Sequence, residues 1–202
     1  AGNPIKLVDP EGMDTININL DKGSIDLIKA DGDHSIRFYK GGDLLDSDEI
    51  SESECGFKMR TWNGSVDEDR CSTNYLQCSE SSVGVSIFEK ITKLGSDVEW
   101  DFYSAKSGVG EMSTSGRNNK MVHPADLYTL KTVDSWRHYH PKNNSDSFYP
   151  SYSDQNHARE FGNGVKCTIY HDGRSMEFGK LITTRGYISL NKFGELWNRF
   201  AR

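Results

Sequence analysis

Long apolar runs are absent from this 202-residue chain. No stretch approaches the roughly 18 consecutive apolar residues of a membrane-spanning helix, so the sequence predicts no membrane span. The first residues lack the basic segment and apolar run of a signal peptide, and we expect any export to depend on another element. Lys and Arg number 24 against 30 Asp and Glu, and the net charge of −6 argues against a nucleic-acid-binding surface.

Cysteine is scarce and is not spaced as in a cysteine zinc site. The four are Cys55, Cys71, Cys78 and Cys167, and no two form a Cys-x-x-Cys pair. The first three lie in one polar stretch, which could hold one disulfide. Cys167 alternates with Val165 and Ile169, which predicts a buried strand thiol rather than a nucleophile.

The apolar pattern divides the chain into three regions. Residues 1–13 hold two prolines and two glycines, which break regular structure, and they predict a linker. Residues 14–82 predict a small β meander of two or three strands up to residue 40, followed by irregular loops over 41–82. Residues 83–202 predict helices alternating with strands. We therefore expect an α/β or α+β fold, in which helices flank a mixed sheet and the small meander precedes it.

Periodicity and breaker residues set the expected elements of the third region. Val83, Ile87 and Ile91 recur at helical spacing and Gly95 follows them, which predicts a helix. The expected strands are 97–104, 119–123, 127–133, 135–140, 165–171 and 175–178. The expected helices are 151–161 and a C-terminal one bearing Phe193, Leu196, Trp197 and Phe200. Residues 108–116 are expected to form a turn-rich loop.

His138 and His140 are the strongest candidates for chemistry. Residues two apart in a strand project from the same face, so both imidazoles could reach one zinc ion at the required distance of about 2.0–2.1 Å. Pro141 ends the strand, which predicts ligands at an exposed strand tip. Asp154 can approach from the next element as a third ligand. Three protein ligands leave a fourth position for water, as in catalytic zinc sites.

Such a site needs a base that accepts a proton from water. Glu99 is the first candidate, because it projects from a predicted strand on the face opposite Val98 and Trp100. Glu111, in a glycine-flanked loop, is the alternative. Ser151 could donate a hydrogen bond to the oxyanion of a tetrahedral intermediate.

Each of these residues also has an ordinary structural interpretation. A His-x-His pair is often only surface histidine, and Glu99 can be an exposed strand carboxylate. Ser151-x-x-Asp154 is also a helix-start pattern, with Ser151 as N-cap and Asp154 near the helix dipole. His157 either supports the site or faces solvent. The joint order of the residues favours the metal site.

The set resembles the motif of the JAB/MPN (JAMM) metalloprotease family, which is a Glu, then His-x-His-Pro, a short loop and Ser-x-x-Asp. This chain has Glu99, His138-Tyr139-His140-Pro141 and Ser151-Tyr152-Ser153-Asp154. The nine-residue loop between the last two is slightly longer than usual in the family. The resemblance covers residues 80–185. It implies that the two histidines and Asp154 hold Zn²⁺, that Glu99 is the general base and that Ser151 steadies the intermediate. The implied reaction is hydrolysis of an amide, often an isopeptide, in a protein or peptide substrate.

A second resemblance lies at the start of the chain. Asn3-Pro4-Ile5 and Asp9-Pro10-Glu11-Gly12 resemble the segment that ends the core of Rhs-type polymorphic toxins. The variable domains that follow such cores, JAB-like domains among them, are toxins. The resemblance implies a toxin domain delivered into a target cell as part of a larger secreted effector, and a cognate immunity protein in the producer.

Two further functions remain open. The first is a nuclease toxin, since many Rhs C-termini cut nucleic acid and histidines can act as acid and base without metal; the acidic net charge counts against it. The second is a non-catalytic JAB-fold binding module; the intact ligand set counts against that. The substrate, the oligomeric state and the role of residues 14–82 stay open.

Overall fold

The computed structural model describes residues 15–28, 35–49, 57–66, 69–116, 132–142, 148–161 and 164–178. Within these ranges the strands are β1 (Thr15–Asn19), β2 (Ser24–Ile28), β3 (Ser35–Lys40), β4 (Asp43–Glu49), β5 (Lys58–Val66), β6 (Asp69–Cys78), β7 (Trp100–Ala105), β8 (Gly110–Thr114), β9 (Val133–Tyr139), β10 (Lys166–His171) and β11 (Arg174–Phe178). The helices are α1 (Ser81–Leu94) and α2 (Tyr152–Glu160). The expected linker at 1–13, the strand at 119–123, most of 127–133 and the C-terminal helix lie outside the described residues.

A seven-stranded mixed sheet, in the order β11-β10-β9-β7-β8-β6-β5, carries most of the fold. Its neighbouring strands pair antiparallel except β9 and β10, which are parallel. The chain between those two strands contains α2, because parallel neighbours need a crossover connection. This β9-α2-β10 unit brings the carboxyl end of β9 and the N-terminus of α2 together. The expected mixed sheet with flanking helices is confirmed.

A smaller four-stranded sheet is formed by the N-terminal part, as expected, but its order is β2-β1-β3-β4. β1 pairs antiparallel with β2 and parallel with β3, so the sheet is not a simple meander. The reason is that β3 returns to the other edge of β1 instead of extending from β2. A fourth strand, β4, adds Asp43–Glu49 and is almost entirely exposed.

Two expectations about irregular structure were wrong. Residues 41–82 contain β4, β5 and β6, and residues 108–116 contain β8. In β8 every residue from Gly110 to Thr114 is buried, although four of the five are polar or glycine. β8 lies between β7 and β6, and its Gly110 leaves room for an aromatic ring, since a Cβ there would lie 2.7 Å from Cζ of Phe102. A polar central strand lacks the alternation of apolar residues by which strands are recognised.

One face of the large sheet is apolar and packs against α1 and the small sheet. The buried residues of this core include Leu76, Trp100, Phe102 and Met112 from the large sheet, Ile87, Phe88 and Ile91 from α1, and Ile16, Ile18 and Phe38 from the small sheet. α1 runs as expected and ends at Gly95, whose φ of 80° and N–H bond to the Ile91 carbonyl stop the helix. The small sheet is tied to the segment before β7 through Leu20, whose carbonyl accepts from Ser96 Oγ at 2.7 Å and from Asp97 N at 2.9 Å.

The boundary expected at residue 82 falls at the start of α1. β6, which precedes it, pairs with β8, which follows it. Strands from both sides of residue 82 therefore share one sheet. Neither described helix is long and apolar enough to cross a membrane.

Candidate metal centre

The histidine pair lies at the carboxyl end of β9. His138 belongs to the strand, and His140 follows its last residue and donates its backbone N–H to the Tyr170 carbonyl at 2.9 Å. The two rings are perpendicular with centroids 4.5 Å apart, as expected of side chains that share a face. The expected exposed strand tip was wrong, because His138 is 2% and His140 6% exposed. Burial in this position disfavours the interpretation of the pair as surface histidines.

Asp154 reaches the histidines from the first turn of α2. Its Oδ2 accepts from the backbone N–H of Ser151 at 2.6 Å, and its own N–H donates to Ser151 Oγ at 3.2 Å. This is a capping box, in which two backbone donors at the helix start are satisfied reciprocally. The helix-start interpretation of Ser151-x-x-Asp154 is confirmed. The cap also fixes the Asp154 carboxylate, which is only 4% exposed, at the site.

The spacing of Asp154 and the histidines fits a metal ion. Asp154 Oδ1 lies 3.5 Å from His138 Nε2, and Oδ2 lies 3.4 Å from His140 Nε2. Both distances are long for charge-assisted hydrogen bonds, which measure about 2.7–2.9 Å. Two ligand atoms of a tetrahedral zinc ion, each about 2.0–2.1 Å from it, lie about 3.3 Å apart. Each observed separation is close to that edge length, but the two involve different oxygens of Asp154. Among the described residues, the group whose ligand atoms all lie within 4.8 Å of one another is Glu99, His138 and His140, without Asp154.

Glu99 completes a buried group with the two histidines. It directly precedes β7 and is 7% exposed. One ligand atom each of Glu99, His138 and His140 lies within 4.8 Å of the others, so these three residues could hold a metal ion. Burial raises the pKa of Glu99, and the charges of Asp101 and Asp154 add to it, against the opposing effect of the two histidines. A carboxyl with a raised pKa is suited to accepting and returning a proton.

The electrostatics of the site favour a bound cation. Burial opposes protonation of His138, but the charge and hydrogen bond of Asp101, with Asp154 and Glu99, raise its pKa to about 10. Burial likewise opposes ionisation of Asp154, but the close approach of His140 Nε2, the charges of both histidines and the bond from Ser151 hold its pKa well below the usual range. Buried carboxylates thus lie beside two buried imidazoles, and uncompensated charge in such a place is costly. A divalent cation would balance the negative charge.

Asp101 is a site residue that the sequence interpretation missed. It is fully buried in β7 and pairs across the sheet with His138. Its Oδ1 lies 2.7 Å from His138 Nδ1 and accepts from Trp136 Nε1, also at 2.7 Å. The signal in the sequence was its position two residues after Glu99, since alternate residues of a strand share a face.

The remaining candidates lie near the site in different roles. Ser151 is exposed, and its Oγ takes part in the cap of α2. Glu111 is fully buried on β8 opposite Tyr103, and it is not part of the group that could hold a metal among the described residues. His157 is half-buried: its Nε2 lies 3.1 Å from the hydroxyl of Tyr103 on β7, and its ring centroid lies 4.9 Å from that of Trp136. His171 Nδ1 lies 3.2 Å from the carbonyl of His140 and supports that residue's backbone.

Cysteine takes no part in this centre among the described residues. Cys78 and Cys167 are free, buried thiols, as expected for Cys167. Burial raises the pKa of both to about 12, with the charge of Glu111 adding to the effect at Cys78, so neither is a thiolate near neutral pH. Of the three cysteines among which one disulfide was considered, Cys78 is free, and the side chains of Cys55 and Cys71 lie outside those that the structure describes.

No protein-family model, curated protein or solved structure matches the chain, so the geometry of the site is the structural basis for a function.

Proposed function

We propose that this chain is a zinc-dependent metallopeptidase that hydrolyses an amide or isopeptide bond. The observation that carries the proposal is the position of Asp154, whose two carboxylate oxygens lie 3.5 and 3.4 Å from the Nε2 atoms of His138 and His140. Two imidazoles and one carboxylate are a ligand set that zinc accepts, and such sets occur in catalytic zinc sites.

The residues divide the work of hydrolysis between them. A zinc ion held by His138, His140 and Asp154 would supply Lewis acidity, which polarises a carbonyl and makes water a better nucleophile near neutral pH. Glu99 takes the proton from the attacking water and returns it to the leaving amine, for which its raised pKa suits it. Ser151, exposed at the start of α2, donates its hydroxyl hydrogen to the developing oxyanion while its Oγ still accepts from Asp154 N.

The proposed setting is a bacterial toxin domain, delivered into a target cell as part of a larger secreted effector. The support is the pair of sequence resemblances, to JAB/MPN metalloproteases and to the end of an Rhs core. A protein or peptide is the proposed substrate, and a cognate immunity protein is the proposed partner.

The test combines zinc content with toxicity. Wild-type protein should purify with about one zinc per chain, as a three-ligand catalytic site requires. Its induction in a bacterial host without the immunity protein should arrest growth. Glu99→Gln should keep the zinc and lose the toxicity, because it keeps the shape of the side chain and removes only the base.

The matched control is Glu89→Gln, which neutralises an exposed carboxylate on α1 and should change neither readout. Folded wild-type protein without zinc would contradict the metallopeptidase. Growth arrest by Glu99→Gln would remove Glu99 from the role of base. Loss of zinc from Glu99→Gln would instead make Glu99 a ligand.

A further inference from the structure

Asp101 occupies a place that neither the sequence motif nor the proposed catalytic set assigns. It lies on β7 directly opposite His138 on β9, and paired residues of neighbouring antiparallel strands project from the same face. Its relative exposure is 0%, so its carboxylate depends entirely on partners within the protein. A buried carboxylate without partners would be strongly destabilising.

One oxygen of Asp101 receives two donors. Trp136 Nε1 lies 2.7 Å from Oδ1, and His138 Nδ1 lies at the same distance from the same atom. An indole nitrogen can only donate, so Oδ1 is an acceptor in this arrangement. His138 Nδ1 therefore carries a hydrogen and donates it to Asp101.

The hydrogen on Nδ1 decides which atom of His138 can bind a metal. A neutral imidazole with its hydrogen on Nδ1 presents its lone pair at Nε2. That Nε2 is the atom that lies 3.5 Å from Asp154 Oδ1, on the side of the ring away from Asp101. The hydrogen bond to Asp101 and the position of Asp154 therefore both indicate Nε2 of His138 as the atom that binds the metal.

The Asp101 carboxylate is itself held in place by the indole of Trp136, which donates to the same oxygen as His138. Trp136 packs against Tyr103 with ring centroids 6.4 Å apart and nearly parallel planes, and its centroid lies 4.9 Å from that of His157. The indole is fully buried, so its N–H direction is fixed by packing. The chain of contacts runs from the core through Trp136 and Asp101 to His138.

We infer that Asp101 is a positioning residue for the metal site: it holds His138 in the tautomer and orientation in which Nε2 binds the ion. This inference rests on the proposed zinc site and goes beyond its ligands and base. Outer partners of this kind make the ligand more basic, and their removal typically weakens metal binding by about 10- to 100-fold.

The first experiment measures zinc affinity by chelator competition in wild type and in Asp101→Asn. The amide keeps the volume of the side chain and removes its charge, so we expect the dissociation constant for zinc to rise about 10- to 100-fold. Asp134→Asn is the matched control, because Asp134 is an exposed carboxylate on the same strand as His138. It should leave the affinity unchanged. Asp101→Glu restores a carboxylate and should recover part of the loss.

The second experiment needs no variant and so does not depend on whether Asp101→Asn folds. The ring nitrogens of His138 are identified by nitrogen-15 NMR in zinc-loaded wild-type protein. The inference expects zinc on Nε2 and a hydrogen, slow to exchange, on Nδ1. Zinc on Nδ1, or an unchanged affinity in folded Asp101→Asn, would overturn the role of Asp101 while leaving the metallopeptidase standing. Failure of the wild type to bind zinc would overturn both.

Discussion

At the scale of single residues, the site depends on side chains that serve structure and chemistry together. Asp154 caps α2 through Ser151 and faces both histidines. His138 stands between two carboxylates, with Nδ1 toward Asp101 and Nε2 toward Asp154. Substitutions at these residues therefore change both stability and zinc binding, and the two effects are told apart only when stability is measured separately.

Ser151→Ala tests separately the structural role of this hydroxyl in the helix cap and its proposed role in catalysis. Loss of the hydroxyl removes the acceptor for Asp154 N, and we expect the free energy of unfolding to fall by about 1 kcal/mol. If the hydroxyl also donates to the oxyanion, turnover should fall by about 100-fold or more. Ser151→Thr should keep both properties. Ser153→Ala, an exposed position in the same turn, is the control.

Thermal unfolding and zinc-loaded activity, measured on the same preparations, distinguish the outcomes. A stability loss with unchanged turnover would restrict Ser151 to the cap. No stability loss in Ser151→Ala would contradict the capping box itself.

At the scale of elements, α1 packs closely against the large sheet at Gly84, which has no side chain. A Cβ added at Gly84 would lie 2.8 Å from Cζ of Phe102 and 3.2 Å from Sγ of Cys78. The helix therefore approaches β7 and β6 closely only because residue 84 is glycine. Both neighbours are buried and cannot move aside freely.

Gly84→Ala should destabilise the fold by about 1–3 kcal/mol, since overcrowding of a packed core outweighs the better helix propensity of alanine. Ser82→Ala, at an exposed position of the same helix, should change stability by less than about 0.5 kcal/mol. Urea unfolding of both variants checks the difference. A Gly84→Ala variant as stable as wild type would contradict the close approach of α1.

The elements that sequence patterns identified correctly have clear periodicity and clear ends. α1 has apolar residues at helical spacing and a glycine stop, and β10 and β11 flank Asp172-Gly173. The strands that were missed are β4, β5, β6 and β8. Of these, β6 and β8 are polar but lie inside the large sheet, and their burial comes from neighbours distant in sequence. Local alternation does not report such neighbours.

The residues of the site divide in the same way, into those that local sequence predicts and those that it does not. His138, His140, Asp154 and Glu99 were predicted because their spacing matches a motif, and the structure brings them together. Asp101 was missed because its role depends on strand pairing of β7 with β9, across 37 positions of sequence. The burial of the histidines was missed for the same reason.

At the scale of the whole molecule, buried thiols that are neutral in the fold make its stability fall at alkaline pH. Burial raises the pKa of the Cys78 thiol to about 12, with a contribution from the charge of Glu111. Because the folded pKa lies above the unfolded value, the thiol contributes its full stabilisation below about pH 9, and that contribution is lost as the pH rises towards 12. Burial raises the pKa of the Cys167 thiol to about 12 as well, so its contribution to stability depends on pH in the same direction.

Cys78→Ala tests this effect. Near pH 8 the variant should be less stable than wild type by about 1 kcal/mol, since a small buried group is removed. Between pH 8 and pH 10.5 wild type should lose about 2 kcal/mol relative to the variant, because it loses about 1.4 kcal/mol per pH unit above pH 9 at this group. The difference should therefore reverse sign, and the variant should be the more stable protein at about pH 10.5. Urea unfolding across that range gives the values. A difference that does not change with pH would contradict a buried, neutral Cys78 thiol.

The capping box also makes two backbone amides into reporters of the metal site. The N–H of Ser151 is bonded to the carboxylate that faces the histidines, and the N–H of Asp154 is bonded to the hydroxyl beside it. Their hydrogens exchange with solvent only when the first turn of α2 opens, which also withdraws Asp154 from His138 and His140. An ion held by those three side chains would lower the population of the open form, because it binds only the closed one. The exchange rates of two hydrogens therefore read site occupancy directly, without a substrate and before the scissile bond is known.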